Sequence, residues 1–187
     1  MFLLSICPKQ PDIDTMPVIK TTFYPWTEGS FRPLCYARAA VVEGSGVLFD
    51  LQAFERDPAL GGGDILDDSC AALTFRFFPE RGDVPLTAAF NAAGDCRLYR
   101  GGEPADGVLS VRRYAGADEQ GWYWGARAVL PFSLLGCTAI PDGHTMEGNI
   151  FKFKRTGGDA HMGAVAPMRD SFIFSPDNLA AFTAVAY

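Results

Sequence analysis

Short segments rich in β-branched and aromatic residues recur along this chain, and each is cut off by a cluster of Gly, Pro or Asp. No stretch carries apolar residues at helical spacing for long enough to make a packed helix, so the punctuation specifies an all-β domain. The segments that read as strands are Val18–Tyr24, Cys35–Val42, Val47–Phe54, Cys70–Phe78, Leu86–Asn91, Cys96–Tyr99, Leu109–Tyr114, Trp122–Leu130, Asn149–Lys154 and Phe182–Tyr187. That supply of strands is enough for a mainly β, two-sheet antiparallel β-sandwich.

Alternation gives several of these segments a buried and a solvent face. Val47, Phe49, Leu51 and Ala53 fall on one side of their strand, with Asp50 and Gln52 on the other. Leu73, Phe75 and Phe77 likewise oppose Thr74 and Arg76. Gly44-Ser45-Gly46 reads as a hairpin turn, and Pro58–Asp64, with consecutive glycines, as a flexible loop. One helical turn follows Pro131, where Phe132-Ser133-Leu134-Leu135 meets Gly136, a residue that readily closes a helix in the left-handed conformation. With no internal repeat and 187 residues, the whole of 1–187 is expected to be one domain around one core.

Charge narrows the function classes. A net charge of −6 and a pI near 4.8 offer no clustered Lys and Arg for phosphate backbones or anionic membranes, so neither nucleic acid nor membrane is an expected partner. The apolar run Met1–Pro8 is too short for a signal-peptide core and has no basic residues before it, so a cytoplasmic location is expected, or a secreted or cell-surface one if the true N-terminus differs. The five cysteines are odd in number and widely spaced, which argues for buried free thiols over a zinc site or a disulfide framework.

Chemistry that would make an enzyme is hard to find. His144 and His161 sit on unrelated segments, and Gly44-Ser45-Gly46 lacks the spacing of a nucleophile elbow. No cofactor is expected; the one cation the sequence could take is calcium, on the acidic group Asp64, Asp67 and Asp68 beside the glycine loop. Aromatic residues say more, because sugars present C–H faces that stack on rings while their hydroxyls seek polar side chains. Trp26, Trp122 and Trp124 are the candidates; the last two share a strand face with Ala126 and Ala128, a pattern that favours the core.

From about Asp68 onward the sequence resembles the carbohydrate-binding family 9-like domains, β-sandwiches related to the DOMON group. Asp68-Ser69-Cys70 leads into a Phe-rich strand, as in the family's Asp-Ser-Cys-Val-Glu-Phe-Phe, and Phe90-Asn91-Ala92-Ala93-Gly94 is similar to its Phe-Asn-x-x-Gly hairpin. Val129-Leu130-Pro131-Phe132 matches an Ile-Pro-Phe turn. Asn149-Ile150-Phe151-Lys152, followed by His161 and Pro167-Met168, resembles Asn-Phe-Tyr-Lys and then His-x-x-x-Trp-x-Pro-Ile. The tail Phe174–Phe182 is similar to Phe-His-x-Pro-Glu-x-Phe-Gly.

The resemblance implies a sugar clasp of two tryptophans and a glutamate, and it places those positions at Leu66, Val165 and Ala72. A second strand glutamate would fall at Ala89, and a late histidine at Ser175. Losing the rings removes the stacking surface, and losing the acid removes a charge-assisted acceptor worth roughly 1.5–3 kcal/mol. What remains near the implied site is Arg76, Asn91, Trp124, Lys152, Lys154 and His161, with Phe151 and Phe153 facing the core and both lysines on the opposite face. The expected function is therefore a non-catalytic carbohydrate-binding domain with an altered site, taking a sugar that is neutral or anionic, in carbohydrate or glycoside metabolism. A structural or protein-interaction sandwich is the alternative. A glycoside-processing enzyme would need two of its acids, such as Asp50, Glu55 and Asp68, to converge across a cleft.

Overall fold

The computed structural model describes residues 1–27, 30–61, 63–156 and 159–186. Gly62 of the glycine loop and Tyr187 at the end of the last expected strand lie outside the described residues. The first strands are β1 (Phe2–Cys7), β2 (Ile19–Lys20), β3 (Phe23–Thr27), β4 (Cys35–Val42) and β5 (Gly46–Phe54). The middle of the chain forms β6 (Cys70–Arg76), β7 (Leu86–Asn91), β8 (Cys96–Arg100), β9 (Glu103–Pro104) and β10 (Arg112–Asp118). The last are β11 (Gly121–Pro131), β12 (Thr145–Lys154), β13 (His161–Ala164) and β14 (Ala180–Ala186). The helical turn α1 (Phe132–Leu135) closes at Gly136 in the left-handed conformation, as expected.

The mainly β sandwich is what forms, with one correction to its topology. The strands make a continuous hydrogen-bonded path in the order β10, β11, β5, β4, β1, β14, β12, β6, β7, β8, β9, curled so that its two halves face each other. The seam is β1, which pairs in parallel with both β14 and β4, so the sheets are neither separate nor wholly antiparallel. Pairing on both edges gives the backbone N–H and C=O groups of the seam their partners. The segment was hidden in the sequence because Phe2, Leu3 and Leu4 are all apolar and show no alternation, although Leu4 is buried and Leu3 exposed.

Other strand limits also move. The expected Val18–Tyr24 strand is divided into β2 and β3, and Leu109–Tyr114 shifts to β10. β13 and β9 are strands where the sequence pattern predicts loop. The main core lies between the halves, where Phe49 of β5 meets Phe90 of β7 at 5.3 Å and Phe75 of β6 meets Phe182 of β14 at 4.9 Å. Side chains of this size stabilise by about 1.5–3 kcal/mol each when fully buried, so this layer fixes the curl. A smaller apolar cluster lies on the far face of β6, β7 and β12, under the segment that carries Ile173 and Phe174. β3 is carried on β13, at the rim of that second layer.

Candidate ligand-binding cleft

Both faces of β12 are buried where it matters. Phe151 and Phe153 enter the smaller cluster, as expected, but Lys152 on the other face is fully buried rather than solvated. A buried ammonium is tolerable only with its hydrogens placed, and here they are. Lys152 Nζ lies 3.1 Å from Glu55 Oε2, donates to the carbonyl of Phe153 at 3.1 Å and meets His161 Nε2 at 3.1 Å. Glu55 is satisfied in turn: Trp124 Nε1 donates to Oε2 at 3.2 Å and the Ser69 hydroxyl donates to Oε1 at 3.0 Å.

This arrangement assigns the histidine tautomer. All three hydrogens of Lys152 are committed, so His161 Nε2 accepts, and Nδ1 carries the hydrogen that is donated to the carbonyl of Asp159 at 2.8 Å. Desolvation, and then the charge of Lys152, push the His161 pKa down from 6.5 to about 4, which keeps the ring neutral at ordinary pH. Burial pushes the nearby Cys35 and Cys70 thiols up to about 12, which makes both inert.

Beyond this plug lies an open cleft of about 680 Å³. The cleft is lined by Pro25 and Trp26 of β3, Phe153 and Lys154 of β12, His161 and Met162 of β13, and Ser171 and Phe172, with Trp26, Met162 and Phe153 in register on one face of the ladder and His161 and Lys154 in register on the other. Trp26 is 38% exposed and Phe172 54%, so both rings are available to a ligand. β3 is fixed by Tyr24, whose hydroxyl bonds the Pro33 carbonyl and lies 2.9 Å from Thr21 Oγ1. At the cationic end, Lys154 Nζ contacts Asp159 Oδ1 at 2.7 Å, and Arg155 lies over the Phe153 ring at 5.5 Å. The hydrogen bond from Lys154 holds the Asp159 carboxyl below its ordinary pKa.

The six residues singled out from sequence do not form one site. Lys152, Trp124 and His161 meet in the buried network, while His161 and Lys154 also reach the cleft. Arg76 is paired with Glu147. Asn91 lies in a separate hollow, donating to Asp68 at 2.9 Å and Asp95 at 3.0 Å. In that hollow Asp64 caps a turn by accepting from the Leu66 N–H at 3.0 Å and faces Arg97 at 3.5 Å. Among the described residues no three His, Cys, Asp or Glu side chains gather as a metal ion requires.

Sequence reasoning left Glu55 without a partner and Phe172 unremarked. Continuing the period of two through Val47, Phe49, Leu51 and Ala53 places Glu55 on the inward face, a signal that could have found it. Phe172 had no such signal, since it sits in an irregular segment whose neighbours are set only by the fold.

No family model and no curated protein sequence matches the chain. Solved structures do. A candidate carbohydrate-binding protein from Bacteroides uniformis is similar over 98% of this chain and 99% of its own, at 19% identity and a TM-score of 0.72. A family 9 carbohydrate-binding module from Caldicellulosiruptor kristjanssonii, in complex with cellotriose, is similar over 100% of this chain and 94% of its own, at 9% identity and a TM-score of 0.68. The same module in complex with glucose gives 9% identity and 0.68, with 100% and 96% covered. This chain has the family 9 carbohydrate-binding fold.

Within that fold, the positions that the sequence resemblance assigns to a sugar clasp are apolar and buried. Leu66, Ala72 and Ala89 come together in the smaller apolar cluster with Tyr99, Ile173 and Phe174, and Val165 joins the main core. Tyr99 packs on Phe174 at 5.0 Å and Phe174 on Phe172 at 5.1 Å. Phe172, next to Ile173 and Phe174 in the chain, lines the neighbouring cleft.

Proposed function

We propose that the chain is a non-catalytic carbohydrate-binding domain of altered site, which takes an acidic sugar in the cleft between Trp26 and Phe172 and acts in carbohydrate metabolism. The observation that carries this is the pairing of two exposed rings with the cations Lys154 and Arg155 in one cleft of a family 9 fold. The rings offer stacking faces for sugar C–H groups, and the cations match a carboxylate with charge-assisted bonds. His161 adds only its ring, because both its nitrogens are engaged. The acids that a hydrolase would need are employed elsewhere. Glu55 is in the buried pair, Asp50 is bonded to Arg127, and Asp68 accepts from Asn91.

Titration calorimetry against neutral and uronic mono- and oligosaccharides tests the reading. Uronate binding is expected, weakened about tenfold by Trp26→Ala and again by Lys154→Ala, since tenfold corresponds to about 1.4 kcal/mol. Silence across the panel would overturn it and favour a protein-interaction face, for which Phe23, Trp26, Phe31 and Phe172, each at least 38% exposed, are the material.

A further inference from the structure

The outward face of β4, β5, β10 and β11, on the other side of the main core, is built differently from the cleft. Its inward-facing neighbours Ala37, Leu51, Ala53, Trp124 and Ala126 lie in the core, so Tyr36, Phe54, Tyr123 and Tyr114 point away from it. These rings run across successive strands with centroids 5.8, 5.6 and 6.4 Å apart. Phe54 is buried beneath the row, and the three phenols are half-buried. At the far end of the same face Ile13 covers Val42 and Leu48; Tyr36 lies under the Arg38 guanidinium at 5.2 Å, and among the described residues no cation lies over the Tyr114 and Tyr123 rings.

Two glycines show that the row is constructed. Gly125 stands opposite Tyr114 and Gly116 opposite Tyr123 across the β10 and β11 ladder. A Cβ at either position would collide with the facing phenol, and Tyr114 reaches over Gly125 to donate to the Leu51 carbonyl of β5 at 3.1 Å. Glycine inside a strand is costly, and here it lets rings lie against the sheet.

Polar character identifies the occupant. Gln52 stands opposite both Tyr36 and Gly125, in the middle of the row, and its amide makes no hydrogen bond to any described residue. An amide both donates and accepts, as hydroxyl groups require of a partner. Asp50 takes Arg127 at 3.0 Å and Arg38 at 3.9 Å, Arg127 also meets Asp14 at 3.7 Å, and the further charges that β10 adds to this face, Arg112 and Asp118, are one of each sign. A face whose charges cancel suits an uncharged ligand, and a second copy of a chain carrying −6 is the less suitable occupant. The rings are tilted by 45° to 63° from one another, a corrugated row that fits a single twisted chain rather than a flat crystalline surface.

From this we infer a second binding surface, formed by Tyr36, Gln52, Tyr123 and Tyr114, for an uncharged linear oligosaccharide. It is separate from the cleft and does not depend on it. The test is calorimetry and amide chemical-shift mapping with cellopentaose on the whole chain, compared with Gln52→Ala, Tyr123→Ala and Trp26→Ala. Saturable binding is expected that maps to β4, β5, β10 and β11, falls about tenfold in Gln52→Ala or Tyr123→Ala, and is unchanged in Trp26→Ala. Gln52→Ala removes an amide that bonds to none of the described residues, so the test stands even where Tyr123→Ala unfolds. Binding that is lost in Trp26→Ala and kept in Gln52→Ala would overturn the inference, as would no binding of cellopentaose. Self-association in sedimentation that Gln52→Ala disrupts would overturn it too. Failure of uronate binding at the cleft leaves these outcomes readable.

Discussion

Lys152 and Lys154 stand two apart on one face of β12, and the fold puts them to opposite uses. Lys152 is sealed under Trp124, Glu55 and His161 with every hydrogen committed. Lys154 lines the cleft with its side chain 9% exposed and is held by Asp159, itself 40% exposed. Strand periodicity makes the two lysines equivalent, and what covers them does not. The face of a strand is a local property; whether that face meets water is decided by the opposite sheet.

If Lys152 is structural, removing its counter-ion should be severe. Glu55→Ala leaves a buried, unpaired ammonium and is expected to cost about 3–5 kcal/mol, read from the urea midpoint. Replacing both partners together, as Glu55→Leu with Lys152→Met, should restore at least half of that loss, because an apolar pair of similar volume removes the stranded charge. A double variant as unstable as the single one would break the account of Lys152 as a neutralised plug.

Acid should discriminate the two lysines next. Folded His161 refuses a proton until about pH 4, whereas the unfolded imidazole takes one near 6.5. The unfolded state therefore binds more protons in that interval, so stability is full above pH 6.5, falls as pH drops towards 4 and then levels for this group. Asp159 and Asp170, whose carboxyls lie below the ordinary 3.8, lose their contributions only in stronger acid. Melting temperatures between pH 7 and 4 should show the fall, and His161→Gln should flatten it. An unchanged slope in that variant would assign the fall elsewhere.

The smallest effect belongs to the cleft. Asp159→Asn should cost about 1–2 kcal/mol, less than loss of the buried Glu55 partner because Asp159 is 40% exposed although the Lys154 side chain is only 9% exposed, while freeing Lys154 and raising uronate affinity. A larger loss of stability would make Lys154 as structural as Lys152 and erase the contrast between them.

Much of the frame is legible in the order of residues alone. The β4 and β5 hairpin follows from the alternation through Val47, Phe49, Leu51 and Ala53 and from the turn at Gly44-Ser45-Gly46. The helical turn at Phe132–Leu135 stands where Pro131 and Gly136 bracket it. The site is less legible for a reason of scale. Glu55, Lys152 and His161 are far apart in sequence and are joined by contacts between strands and across the sandwich, which no local pattern encodes. β13 is only His161–Ala164, too short for periodicity to be seen, yet it carries both the histidine and the ladder that presents Trp26.

The parallel seam of β1 sets an order of events during synthesis. β1 can dock on β4 as soon as residue 42 is available, through Ser5 opposite Ala40 and Cys7 opposite Val42. Its other edge must wait for β14, where Phe2 stands opposite Phe182. Contacts of such separation carry the largest loop-closure cost and form late. Until β14 has emerged, the nascent chain carries an open edge of unpaired N–H and C=O groups beside apolar side chains, the template on which misassembly between chains begins.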